Sequence, residues 1–210
     1  MLSKTVRSIL LCSGLLFAGC ANFAAFQTAD VVEQGETNVT VGVTYTTYVV
    51  DFFDDDGNEA FIVPALFLSA QHGLTERLQL HGNLWIPLGT SIGIKYQMIG
   101  SAEQEGFGLS AGFDVGYLNL TSSAEEDTIS RARFDFYFPL FIAHDFTESI
   151  SLYLVPKYIG SLYSGDNSQF TSTFTTALGI KLGFLFLEGS YGRDFATESV
   201  VSHIGAAVHF

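Results

Sequence analysis

Residues 131–143 read RARFDFYFPLFIA. Every second side chain is apolar, in the series Ala132, Phe134, Phe136, Phe138, Leu140 and Ile142. The intervening positions begin Arg131, Arg133, Asp135 and Tyr137. A period of two is what a β-strand shows when its two faces meet different surroundings, because successive side chains point to opposite sides. One face of this stretch is bulky and greasy, and the other carries charge.

The same alternation extends to both sides. It is broken every ten to fifteen residues by clusters of Gly, Asp, Asn, Ser and Glu, which are turn formers. Ten segments are expected: Glu36–Val49, Ala60–Gln71, Arg77–Ile86, Ser91–Ile99, Gly106–Leu120, Arg131–Ala143, Ile150–Tyr163, Phe170–Gly183, Phe184–Asp194 and Val200–Phe210. The break at Gly183 is the softest, and merging strands there would leave fewer, with eight as the alternative. No stretch after residue 36 has a helical period. The fold class expected is therefore all-β, an antiparallel barrel of about ten strands. Pro64, Pro139 and Pro156 fall inside segments, where a missing N–H implies bulges or bends.

Two closures fit such a pattern. A soluble ligand-binding barrel turns its apolar face inward, whereas a membrane barrel turns it outward. Side-chain size separates them. In 77–86, Leu78, Leu80, Leu84 and Ile86 oppose Arg77, Gln79, His81, Asn83 and Trp85. In 106–120, Phe107, Leu109, Phe113, Val115 and Tyr117 oppose Gly108, Ser110, Gly112, Asp114 and Gly116. A barrel of eight to ten strands has an interior only wide enough for side chains. The Gly-, Ser- and Thr-rich face suits that interior, and the Phe- and Leu-rich face suits lipid.

The basic residues follow the same parity. Of nine Lys and Arg, Lys4 and Arg7 lie near the start; the others are Arg77, Lys95, Arg131, Arg133, Lys157, Lys181 and Arg193. All but Arg193 fall on the polar face, joined by Asp114, Asp135, Glu188 and Asp194. A charge facing lipid costs about 2–4 kcal/mol at the bilayer midplane, so seclusion inward is expected. Such a lumen is either a plug of ion pairs or a narrow, anion-favouring, porin-like channel, since rings of charge set ion selectivity.

The first residues, MLSKTVRSILLCSGLLFAGCANF, have a basic start, an apolar run from Ile9 to Ala18 and small residues before Cys20. This is a signal peptide pattern over 1–19. It also resembles a lipoprotein signal, which makes Cys20 the candidate for lipidation, although Phe17 stands where Leu is usual. Ordinary cleavage nearby, with Cys20 incidental, is the other reading, and an uncleaved apolar helix is a third. Residues 20–35 are expected to be a periplasmic tether, and 36–210 the transmembrane barrel. Cys12 falls inside the leader, so no disulfide is expected.

Composition narrows the function. The chain has 210 residues, 21 Gly, 20 Phe, 9 Tyr, 4 Pro and a net charge of −13. Its mean hydropathy is nevertheless +0.31. Such acidity leaves no basic surface for nucleic acid. The loop DFFDDDGNE (51–59) offers Asp54, Asp56, Asn58 and Glu59 as a weak metal candidate, because calcium prefers oxygen ligands. Their spacing is not that of a twelve-residue calcium loop, and a solvated turn explains them. Five histidines are spread along the chain without a nucleophile elbow or metal helix motif. No catalytic residue and no cofactor is expected.

With these features together, the chain resembles bacterial outer-membrane β-barrel proteins of the small-barrel class, over roughly 36–210. The features are the export signal, the alternating strands, the acidic loops and a closing strand ending in Phe210. The resemblance implies a Gram-negative outer-membrane location. It implies Phe210 as the insertion signal, with Val208, Ala206 and Ile204 at the alternate positions, read by the barrel-assembly machinery. The partners implied are outer-membrane lipid and, for a conducting lumen, small anions. Three functions remain open: a structural barrel or narrow anion-favouring channel, whose lumen charges are Arg77, Lys95, Asp114, Arg131, Arg133, Asp135, Lys157, Lys181 and Glu188; an enzyme acting on lipid or peptide at a barrel rim; and a soluble periplasmic lipoprotein holding a ligand in its barrel.

Overall fold

The computed structural model describes residues 24–50, 59–86, 89–100, 106–123, 128–164, 169–195 and 200–210. Ten strands follow in order: β1 (Thr37–Val50), β2 (Glu59–Thr75), β3 (Leu78–Ile86), β4 (Gly89–Ile99), β5 (Gly106–Ser123), β6 (Thr128–Thr147), β7 (Ile150–Tyr163), β8 (Gln169–Leu182), β9 (Leu185–Asp194) and β10 (Val200–His209). Each pairs antiparallel with its chain neighbours, and β10 returns to β1 to close the ring. Closure leaves no open sheet edge. Phe210 is tied in by its main chain, which both donates to and accepts from Val39.

The faces lie as the alternation requires. Thr40, Thr44, Ser69, Gln79, Asn83, Ser110, Ser151, Ser161, Thr175 and Ser190 point inward and are buried. Ile62, Ile92, Phe138, Leu178, Tyr191 and Ile204 point outward and are exposed. An apolar belt around a whole barrel far exceeds the patch a soluble monomer leaves bare. The lumen is polar, so a soluble barrel with an apolar interior is excluded by its own faces. The molecule is a small membrane barrel.

One rim, called the lower rim here, carries the start of β1 and the end of β10. Its β2–β3, β6–β7 and β8–β9 turns are tight. Thr75 Oγ1 accepts the N–H groups of Arg77 (3.2 Å) and Leu78 (3.0 Å), and Thr147 Oγ1 accepts those of Ser149 (3.2 Å) and Ile150 (3.1 Å). Gly183, with φ +60°, turns β8 into β9, so the soft break in the sequence is a real one. Register shifts at Gly73/Thr75, Gln97/Ile99 and Asp145/Thr147 place three bulges at this rim. They let β2 and β6 run several residues beyond the expected ends.

The prolines act as their chemistry demands. Pro64 lies beyond the β2–β3 ladder, which starts at Leu66. The β5–β6 ladder skips from Ala111↔Leu140 to Asp114↔Tyr137 around Pro139. The β6–β7 ladder skips from Pro139↔Lys157 to Ile142↔Leu154 around Pro156.

The largest departure from expectation precedes β1. Residues 24–34 do not form a tether below the barrel. They run inside it, and Ala24, Ala25, Phe26, Gln27, Thr28, Ala29, Val31 and Val32 are buried there.

Candidate functional site: the lumen and the segment within it

The segment begins about midway up the lumen and descends to the lower rim. Lys157, midway along β7, donates from Nζ to the carbonyl of Ala24 at 3.3 Å. The next two N–H groups, of Ala25 and Phe26, each donate to one oxygen of Glu188 on β9, both at 2.8 Å. The Tyr153 hydroxyl donates to the second of these oxygens at 3.1 Å. Successive N–H groups converging on one carboxylate form an anion-binding nest. Phe26 sits there at φ +42°. The left-handed conformation costs a non-glycine residue about 1–2 kcal/mol. Charge-assisted hydrogen bonds of about 1.5–3 kcal/mol each offset it.

The Phe26 ring is fully buried, 5.2 Å from the Phe67 ring and 6.0 Å from His203. It lies over Gly205, where an added Cβ would meet Phe26 Cζ at 2.6 Å. Burying such a ring is worth roughly 1.5–3 kcal/mol. Lower down, Lys95 Nζ donates to the carbonyls of Thr28 (3.3 Å) and Asp30 (2.5 Å). Ser110 Oγ donates to the Ala29 carbonyl. The Val32 N–H donates to Gln79 Oε1 at 3.0 Å. Gln97 Nε2 approaches Asp30 Oδ1 at 3.4 Å.

At the rim the chain reverses. The Glu36 N–H bonds to the Glu33 carbonyl at 3.0 Å, and Gly35 takes φ +85°. Gly73 of β2 receives this turn, accepting from the Gly35 N–H and donating to the Glu36 carbonyl. A Cβ on Gly73 would lie 2.1 Å from the Glu33 carbonyl oxygen, so the wall is cut to admit the segment.

The charges expected in the lumen therefore take different partners. Lys95, Lys157 and Glu188 bind the segment, mostly through its main chain. Arg133 and Asp135 on β6 bind each other instead, by Nε to Oδ1 at 2.6 Å and Nη2 to Oδ2 at 2.9 Å. Tyr137 and Ser161 donate to the same carboxylate, at 2.9 Å and 2.6 Å. Arg133 also lies over the Tyr163 ring, 5.4 Å from its centre. Asp114 meets His81 Nε2 at 2.7 Å. His81, Asn83, Asp114, Lys157 and Ala24 border a cavity of about 10 Å³. That is room for about one water.

The remaining expected residues fall elsewhere. Arg77 is not in the lumen: the Thr75-capped turn delays the start of β3 to Leu78 and leaves Arg77 exposed at the rim. Lys181 is half-buried near the lower end of β8. Asp194 accepts from Thr173 Oγ1 at 2.9 Å near the other end. The Arg131 side chain, Cys20, and the candidate metal ligands Asp54, Asp56, Asn58 and the Glu59 side chain lie outside the described residues. No cluster of three His, Cys, Asp or Glu side chains able to hold a metal occurs among the described residues. The described His–carboxylate contact with hydrogen-bond geometry, His81–Asp114, is buried in mid-lumen rather than at a rim.

Asp30 belongs to the segment rather than to a strand. Burial and the neighbouring Asp145 carboxylate hold its carboxyl above the usual 3.8, against the pull of Lys95, the Thr28 hydroxyl and Lys181.

No protein-family model and no curated protein matches the chain. Solved structures similar to it are bacterial outer-membrane barrels. The N-terminal β-barrel domain of Pseudomonas aeruginosa OprF is 12% identical, with a TM-score of 0.41, over 84% of this chain and 100% of that one. An outer membrane channel from Pseudomonas putida F1 is 11% identical, with a TM-score of 0.45, over 86% and 97%. Ail of Yersinia pestis is 12% identical, with a TM-score of 0.33, over 84% and 99%.

Proposed function

We propose that this chain is a bacterial outer-membrane barrel shut at rest by its own residues 24–34, and that displacement of this segment opens a narrow, anion-favouring pore. One observation carries the reading: Lys95, Lys157 and Glu188, buried charges of the wall, direct hydrogen bonds to the segment's main chain. Arg133 and Asp135, by contrast, bind each other. The lower rim faces the periplasm in this reading, as in barrels whose two ends lie on that side. The anion preference proposed rests on the loss of two acids with the segment: Asp30 and Glu33 leave, while Lys95, Lys181 and Asp145 stay on the wall.

The test is conductance in a planar bilayer under a salt gradient. The full chain is expected to be silent. A chain lacking residues 24–34 is expected to give steady, anion-favouring steps, with the preference reduced by Lys95→Gln and Lys181→Gln. Equal conductance with and without the segment, or silence from both while gels show a folded barrel, overturns the proposal.

A further inference from the structure

We infer that the lumen is a receptor for an extended polypeptide main chain with one aromatic anchor, and that it binds such a segment supplied in trans as well as its own. The inference rests on the displaceable segment of the proposed function and goes beyond it by naming what else the lumen binds.

The contacts define the ligand. The wall reaches the carbonyls of Ala24, Thr28, Ala29 and Asp30 and the N–H groups of Ala25, Phe26 and Val32. The wall residues that reach them come from β3, β4, β5, β7 and β9. Main-chain groups, which every residue type but proline carries in full, make these seven contacts; of the polar side chains, Gln27 Oε1 accepts from Gln79 Nε2 at 3.5 Å and Asp30 Oδ1 lies 3.4 Å from Gln97 Nε2. The side chains that pack most closely on the wall are small. A Cβ at Gly108 would lie 3.0 Å from Ala29 Cβ. Phe26 is the exception, since a pocket of Phe67, His203 and the bare backbone of Gly205 encloses it. The motif recognised is therefore two small residues, then an aromatic, in a chain that stays unfolded through about ten residues. The same logic governs peptides that add a strand to a sheet: main-chain bonds supply affinity, and side-chain pockets supply selectivity.

The experiment uses a fluorescent peptide of residues 24–34, AAFQTADVVEQ, and the barrel lacking those residues, folded in detergent and checked by heat-modifiable gel mobility. Anisotropy reads binding without any need for conduction. Saturable binding is expected. It should weaken at least about tenfold when the amides of Ala25 and Phe26 are N-methylated, since each loses a charge-assisted bond to Glu188. It should weaken similarly with Phe26→Ala in the peptide, and little with Gln34→Ala, whose side chain is exposed. Should the shortened barrel fail to fold, the full chain carrying Ala25→Pro and Phe26→Ala serves instead, because its own segment is loosened. Absence of binding, or equal binding of the N-methylated and scrambled peptides, overturns the inference. A shortened barrel that conducts but ignores the peptide leaves the pore reading standing and removes this one. A barrel that binds the peptide but never conducts does the reverse.

Discussion

Replacing Glu188 by Gln should unseat the luminal segment while leaving the barrel intact. The carboxylate accepts from Ala25 and Phe26 at 2.8 Å each, one N–H per oxygen, with Tyr153 also donating to the second oxygen. Glutamine keeps one acceptor and turns the other position into a donor. One charge-assisted bond, worth about 1.5–3 kcal/mol, is lost, and the other falls to a neutral bond of about 1 kcal/mol. The seated state should therefore lose about 3 kcal/mol relative to the released one, a shift of about a hundredfold in their ratio. The strained Phe26 backbone then lacks what holds it. Two measurements follow the shift: open probability in a planar bilayer, and the rate at which a protease cuts within residues 24–34 of the folded barrel. Both should rise. If Glu188→Gln is as silent and as resistant as the native chain, while the chain lacking the segment conducts, the nest does not hold the plug and the reasoning fails.

Gly73→Ala should lift the rim turn, because its Cβ would lie 2.1 Å from the Glu33 carbonyl oxygen; raised protease access near residues 33–36 checks this. Asp30 supplies a pH dependence. Its carboxyl is raised in the seated state, so its contribution is fully present below pH 3.8 and is lost as pH rises through the seated value. Open probability should thus fall on mild acidification, and Asp30→Asn should flatten that response and tighten the segment at neutral pH. Asp145 on β6, Lys95 on β4 and Lys181 on β8 face Asp30 and stay unchanged in that variant. Asp135→Ala should cost about 3–5 kcal/mol by stranding the buried Arg133 guanidinium, read as a lower temperature for loss of the folded gel band, without opening the pore.

Strand order and facing were legible because each strand meets two different media, and that difference is written in every second side chain. Lys95, Arg133, Lys157, Asp114, Asp135 and Glu188 could be placed inward by parity alone. Arg77 could not, since a threonine hydroxyl capping a turn changes where a strand ends without altering the alternation. The luminal segment was invisible for a deeper reason. Its partners Glu188, Lys157 and Gln79 lie far away in the chain, and they bind N–H and C=O groups that every residue has. Residues 24–34 carry no period, so they read as a tether. One signal pointed the other way: glycines at 73 and 205, where the wall could have carried side chains.

The bonds from Glu188 to Ala25 and Phe26 join residues 163 and 162 positions apart. A contact of that span cannot form until β9 has joined the sheet. The groups that bind residues 24–34 come from β3 to β9, so most of the lumen must be built before the segment can seat. Closing so long a loop carries an entropic cost that local hairpins do not. Seating of the segment should then be a separate, late kinetic phase, after the hairpins have zipped and β10 has met β1. For that interval the barrel would be complete and its lumen still vacant.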